Sequence, residues 1–311
     1  MIAVEQIRKS FDGRHALDGF NLRVDAGELF GLVGPNGAGK TTLIKILSTL
    51  LPADSGAVLI DGLEVTAHAR EVKAVVGYMP DEPGVYQDMS VREFLEFFAD
   101  AFRISGERHR QAVDRALERS GLAARSNDSL DQLSFGMKRR LLLAKSLLHD
   151  PKVLLLDEPA TGLDPIARIE LRAQLKQLQR EGITILISSH ILSDLEDICT
   201  QIALIGNGRN ASDADGHTII QLRAPQAKAR IYEIEVMGDS TAAIGIVNAT
   251  AGVRLLESAA QRLAVEIADE DAQVAALLRA LVVGGVSVLR FDHRAVDLEE
   301  RYRRAFGEKR R

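Results

Sequence analysis

The sequence predicts an α/β fold: a mixed, largely parallel sheet with an antiparallel β subdomain and a helical subdomain, then a small C-terminal α+β domain. Three observations predict it. A glycine-rich segment, Gly34-Pro35-Asn36-Gly37-Ala38-Gly39-Lys40-Thr41-Thr42, lies between the apolar run Leu29–Val33 and helically spaced Leu43, Ile46, Leu47 and Leu50. Two further short apolar runs, Val153–Leu156 and Ile183–Ile187, alternate with helical patterns, as buried parallel strands do. Beyond Gly206-Asn207-Gly208 the composition turns polar as far as Gly216, which marks a loop or boundary.

Taken in order, residues 1–30 place apolar side chains at Ile2, Val4 and Ile7 and then at Phe20, Leu22 and Val24, split by Asp12-Gly13. That pattern is one of antiparallel strands joined by tight turns. Ala57–Ile60 before Asp61-Gly62 is a further strand, as is Val75–Met79, closed by Pro80. From Val91 to His149 the pattern is helical, and Phe94, Leu95, Phe97, Phe98 and Phe102 form a stripe expected in the core. Residues 110–120 carry mixed charge and are expected to face solvent. Ile166–Arg180 is helical, with Ile169, Leu171, Leu175 and Leu178 apolar.

After the boundary the order is strand Ile231–Val236, helix Thr241–Ala249, strands Val253–Glu257 and Leu263–Ile267, helix Glu270–Val283 and strand Val286–Phe291. This βαββαβ order is that of a ferredoxin-like domain. A helix over Asp297–Phe306 and a solvated basic tail, Lys309-Arg310-Arg311, complete the expectation. The expected domains are 1–222, with a helical subdomain at about 86–150, and 223–311.

Bulk properties narrow the function. The chain has 311 residues, 46 % of them hydrophobic and 27 % charged, enough to bury a sizeable core. A net charge of −5 argues against nucleic acid as a partner. Cys199 is the single cysteine, which suits a reducing compartment. The longest apolar stretch, Val274–Val288, is broken by Arg279, and the N-terminus shows no secretory pattern, so a cytoplasmic location is expected.

The glycine-rich segment fits G-x-x-x-x-G-K-T, a strand–loop–helix cradle for phosphate. Lys40 is placed to reach β- and γ-phosphates, and the Thr41 hydroxyl to ligate Mg²⁺. Asp157, ending an apolar strand, suits a carboxylate acting on Mg²⁺, and Glu158 beside it suits a base that orients or deprotonates an attacking water. Ser134 can cap the helix after it, and Ser134-Phe135-Gly136 is also a candidate anion site at a helix start. His190 comes just after the Ile183–Ile187 strand, at the same sheet edge, where it can approach a γ-phosphate.

Taken together, these residues resemble the ATP-binding subunits of ABC-type transporters over roughly residues 1–210. Gly34–Thr42 matches the Walker A loop, Leu133–Met137 the signature and Val153–Glu158 the Walker B strand with its glutamate. Gly162-Leu163-Asp164 matches the D-loop, and His190 the switch histidine. The resemblance implies a P-loop NTPase fold of ABC type and a head-to-tail dimer of identical or related subunits holding two ATP with Mg²⁺. Ser134, Gly136 and Asp164 would act at the subunit junction, and Phe11 would stack on adenine. It also implies a separate transmembrane permease, with this subunit peripheral on the inner face of the membrane.

The chain departs from the pattern in three places. Asp81 stands where glutamine is usual, and is expected near Mg²⁺. Phe135 and Met137 replace glycine and glutamine of the signature, and the segment Gly206–Gly216 is degenerate. The style of the C-terminal domain is similar to bacterial drug, lipid or polysaccharide exporters, and Asp81–Tyr86 is the expected permease contact. A soluble ABC-type ATPase on ribosomes or repair complexes, or a weakly hydrolysing regulatory module, remains the alternative. Nothing in the sequence names a cargo.

Overall fold

The computed structural model describes residues 1–82, 84, 88–196, 198–211, 218–222, 229–268 and 271–293. The chain opens with β1 (Ile2–Phe11) and β2 (Arg14–Val24), antiparallel across Asp12-Gly13, both at positive φ (48° and 77°). That conformation suits the twist of a two-residue hairpin. Then come β3 (Leu29–Val33), with all five residues buried, α1 (Lys40–Leu47), β4 (Ser55–Ile60) and β5 (Leu63–Glu64). β2, β1, β4 and β5 form one antiparallel sheet in that order. α1 is shorter than its apolar pattern suggests. It begins at Lys40 behind a left-handed Gly39 and is over by Leu47, because Thr49 turns left-handed (φ 61°) and leaves Leu50 exposed.

The chain continues through α2 (Ala69–Val75), β6 (Val76–Met79), α3 (Val91–Ala101), α4 (Glu107–Ser120), α5 (Phe135–Ser146), β7 (Val153–Leu156), α6 (Pro165–Arg180), β8 (Thr184–Ser189), α7 (Ser193–Glu196), β9 (Gln201–Gly206), β10 (Arg209–Ala211) and β11 (Ile219–Gln221), whose strands join β3 in the main sheet. Its order is β10-β9-β3-β8-β7-β6, with β11 also on β9. β9, β3, β8, β7 and β6 run parallel, while β10 and β11 are antiparallel. Every residue of β3, β7 and β8 is buried, which accounts for continuous rather than alternating apolar runs.

Helices α3, α4 and α5 pack on one another in the helical segment. α3 starts on a capping box: the Ser90 hydroxyl accepts from the Glu93 amide (3.2 Å), and the Glu93 carboxylate accepts from the Ser90 amide (2.8 Å). α4 buries Ala112, Val113, Ala116 and Leu117, and its charged residues face water as expected. The phenylalanine stripe divides. Phe94 and Leu95 are buried, whereas Phe97 is 50 % exposed and meets Phe98 edge to face. The expectation of a wholly internal stripe is corrected: the row is wider than the surface that α4 and α5 cover. Likewise Ile169 of α6 is exposed together with Ile166. Only Leu171, Leu175 and Leu178, at i, i+4 and i+7, share the inward face.

The second compact unit, described from Ala229 to His293, consists of β12 (Ala229–Val236), α8 (Thr241–Ala249), β13 (Val253–Ser258), β14 (Arg262–Ala268), α9 (Asp271–Val283) and β15 (Val288–His293). Its sheet runs β13-β14-β12-β15, antiparallel throughout, with β12 central. Alternate residues Tyr232, Ile234 and Val236 and Leu263, Val265 and Ile267 build its core with Ala243, Val247, Leu277 and Leu281. Arg254–Glu266 (2.8 Å) and Arg262–Glu235 (3.5 Å) pair across strands in the alternating register. The expected helix Asp297–Phe306 and the basic tail lie outside the described residues. No described helix is long and apolar enough to cross a membrane.

Lys145 ties α5 back to the main sheet. Its Nζ donates to the Tyr78 carbonyl (3.3 Å) and lies 5.0 Å from the centre of the Phe98 ring. Burial pushes this amine down to about 8. An unfolded lysine titrates near 10.4, so between about 8 and 10 the folded chain binds fewer protons, and stability rises with pH through that window. Lys145→Met abolishes that rise and stabilises the protein at neutral pH by on the order of 2 kcal/mol, since the charged form no longer has to be desolvated. Urea unfolding at neutral and alkaline pH measures both effects; a variant that keeps the wild-type pH slope refutes the assignment.

Candidate functional site

The loop after β3 is shaped by glycines that nothing else replaces. A Cβ on Gly34 would clash with the Ile205 carbonyl oxygen of β9, and one on Gly39 with the Ala16 carbonyl oxygen of β2. Gly39 also holds φ 109°, and Gly37 holds φ 79°. No side chain caps α1, so its first-turn N–H groups are left to other acceptors beside a cleft of about 280 Å³. Ala16, Asn36, Gly37, Gly39, Lys40, Thr41 and Thr42 line this cleft, with Asp81, Glu158, Thr161 and His190 opposite. Lys40 is 5 % exposed, and its Nζ donates to the carbonyls of Gly34 (2.7 Å) and Pro35 (3.2 Å) and pairs with Glu158 Oε1 (3.2 Å).

β7 delivers two carboxylates to the same edge. Asp157 Oδ1 accepts from the Ser188 hydroxyl of β8 (2.7 Å), and Oδ2 is buried without a hydrogen-bond partner. Burial pushes the Asp157 carboxyl up, Ser188 and the Thr41 hydroxyl oppose this, and the nearby charges of Asp81 and Glu158 add to the rise. Glu158 takes a left-handed backbone (φ 48°), uncommon for a residue with a side chain. The Glu158 amide donates to the Ser188 hydroxyl (3.0 Å). Its Oε2 lies 2.7 Å from His190 Nδ1 and accepts from the Thr161 hydroxyl (3.3 Å). Burial alone would raise its carboxyl; the His190 hydrogen bond and the Lys40 charge outweigh it, and Glu158 sits below the usual range.

The other expected residues are spread more widely. Asp81, two residues after β6, lines the cleft, but its Oδ1 is taken by Arg139 Nη2 (3.2 Å). Pro35 accepts from Lys40, and Ala38 closes the loop onto the Pro35 carbonyl (3.1 Å). Ser134 caps α5, accepting from the Met137 amide (3.3 Å), and Asp164 caps α6, accepting from the Ile166 and Ala167 amides (2.9 Å each). Gly136 sits beside Leu163 and Ala167 at ordinary packing distance. Phe11 is 47 % exposed at the end of β1, with Lys9 Nζ 5.6 Å from its ring centre, so it is no core residue. Phe11, Ser134, Gly136 and Asp164 do not line the cleft. Of the segment Asp81–Tyr86, Pro83, Val85 and Tyr86 lie outside the described residues. Ala16, Thr161, Ser188 and Arg139 were not anticipated. Ser188, on β8 two residues before His190, carried the only sequence cue.

A model of the family described as ABC transporter matches residues 17–161. The Nod factor export ATP-binding protein I of Burkholderia pseudomallei (strain 1710b) is 38 % identical over 220 residues, covering 71 % of this chain and 72 % of that protein. The daunorubicin resistance ATP-binding protein DrrA3 of Streptomyces coeruleorubidus is 33 % identical over 311 residues, covering 100 % and 97 %. The solved structure of cbiO1 from Clostridium perfringens, part of the ABC transporter complex cbiONQ, aligns with a TM-score of 0.61 at 32 % identity, covering 67 % of this chain and 85 % of that one. With a glycine cradle, an acid pair and a histidine meeting at one sheet edge, and with relatives along its whole length, the chain belongs to the ATP-binding subunits of ABC transporters and is an ATPase.

Proposed function

We propose that this subunit is the motor of an exporter, hydrolysing ATP to drive a separate transmembrane permease from the inner face of the membrane. The observation that carries the reading is the line Lys40–Glu158–His190 across the mouth of the phosphate loop. Subunits of this family dimerise and work with a transmembrane component. The partner here is a second copy or a related ATPase. Export is inferred from the names of the two curated relatives, and those names give no support to the soluble or regulatory alternative.

Mg²⁺ fits the site. Asp157 Oδ2 is buried without a hydrogen-bond partner, the Thr41 hydroxyl acts on the same carboxyl, and Thr41 and Asp81 both line the cleft. Among the described residues no cluster of three or more acidic, histidine or cysteine side chains could hold a metal alone, and nucleotide oxygens would supply the remaining ligands. Thr41, Asp157 and Asp81 would hold the ion. When bound, it offsets charge on the phosphate oxygens.

The protein groups do the rest. Lys40 exchanges its Glu158 and carbonyl contacts for the β- and γ-phosphates, with the loop from Gly34 to Thr42 around them. Glu158, freed from Lys40, takes the proton of the water that attacks the γ-phosphorus as the bond to the β-phosphate oxygen breaks. His190 fixes the Glu158 carboxylate and keeps it charged. Phe11 stacks on adenine, while Ser134, Gly136 and Asp164 close on the nucleotide held by the opposing subunit.

Glu158→Gln lowers kcat by about 10²–10⁴ without loss of nucleotide binding and shifts the protein from monomer to dimer in ATP and Mg²⁺, as light scattering after size exclusion will read. A variant that binds ATP yet stays monomeric sinks the sandwich. Lys40→Ala abolishes retention of ATP on the subunit, checked with a fluorescent nucleotide. His190→Ala removes the hydrogen bond that chiefly holds the Glu158 carboxyl down. The acid limb of its kcat/KM profile therefore moves to higher pH than in wild type; an unmoved limb would show that Glu158 does not set it.

A further inference from the structure

We propose that Arg139 is a positioning residue that anchors Asp81 for the divalent cation and links it to the start of α5, where Phe135 stands. This rests on the nucleotide and Mg²⁺ reading of the cleft.

Arg139 is 4 % exposed, unusual for a group that costs so much to desolvate. Its Nη1 donates to the Pro80 carbonyl (3.2 Å) and its Nη2 to Asp81 Oδ1 (3.2 Å); its Nε is buried with no partner. The guanidinium carbon lies 5.1 Å from the centre of the Phe135 ring, one turn earlier on α5. That ring in turn rests on Gly162, where a Cβ would come within 2.8 Å of it. One buried cation therefore joins α5, the turn after β6 and, through Phe135, the turn before α6.

Asp81 has no other partner among the described residues and is half exposed at the cleft. Its charge acts on Asp157, as that of Glu158 does, so the carboxylates repel along one wall. Without a fixed cation on one oxygen, a short, half-exposed aspartate relieves that repulsion by turning to water. Arg139 holds Oδ1 and leaves the second oxygen uncommitted. A lysine would supply the charge but not the two-pronged grip on Pro80 and Asp81.

The test is the affinity of a fluorescent ATP analogue measured with Mg²⁺ and with EDTA, for wild type, Arg139→Met, Arg139→Lys, Asp81→Ala and Arg139→Met/Asp81→Ala. The ratio of the two dissociation constants is the readout, and circular dichroism checks folding. Arg139→Met and Asp81→Ala each reduce the Mg²⁺ enhancement, taken as the ratio to each variant's own affinity in EDTA, by about tenfold. Arg139→Lys restores part of it, and the double variant is no worse than Asp81→Ala. A wild-type enhancement in Arg139→Met, no loss in Asp81→Ala, or additive losses in the double variant overturns the proposal. If Arg139→Met does not fold, Arg139→Lys and its combination with Asp81→Ala carry the same cycle. Wild type that binds no nucleotide in either medium would instead overturn the nucleotide reading itself.

Discussion

The site depends on one buried ion pair, Lys40 with Glu158, both under 10 % exposed. Two opposite charges taken out of water are stable only together and with further hydrogen bonds, and here the carbonyls of Gly34 and Pro35, the Thr161 hydroxyl and His190 provide them. The pair joins the loop after β3 to the end of β7, which are far apart in sequence. An anion entering the loop competes for Lys40, so in the proposed cycle binding and release of Glu158 are a single event. The base is thus held away from water-splitting work until phosphate is present.

Topology makes that pairing possible. β3, β8 and β7 are neighbours and parallel, so Gly34, His190 and Asp157 emerge from adjacent carboxyl ends. Ser188 on the central of the three strands then serves both acids, donating to Asp157 and accepting from the Glu158 amide. The left-handed backbone at Glu158 turns the chain immediately after Asp157, so consecutive residues take different surroundings: one carboxyl raised by burial, the other lowered by His190 and Lys40.

Much of this was legible in the sequence because the signals were local. Glycine spacing, the run Val153–Leu156 and the acid pair each mark the end of a strand and the turn or helix beyond it, and the spaced apolar positions of residues 1–30 marked β1 and β2. What was not legible is non-local. Nothing in Phe94–Phe102 says how much of that row α4 and α5 will cover, so Phe97 was misplaced. Ile169 was counted by hydrophobicity although helical geometry puts it off the inward face. The partner of Asp81 is a side chain on α5, and no pattern within either segment announces an arginine buried between them. The sheet order of the second unit likewise comes from packing, not from the order of its elements.

Cys199 bears on how such a subunit can be watched at work. It is the single cysteine, and it is wholly buried where its sulfur lies against the position a Cβ on Gly31 would take. A thiol so enclosed is shielded from maleimides and spin labels. Any cysteine introduced on the surface is therefore the sole reactive handle on the native background, and paired labels report distances between subunits without first stripping the protein of its own sulfur.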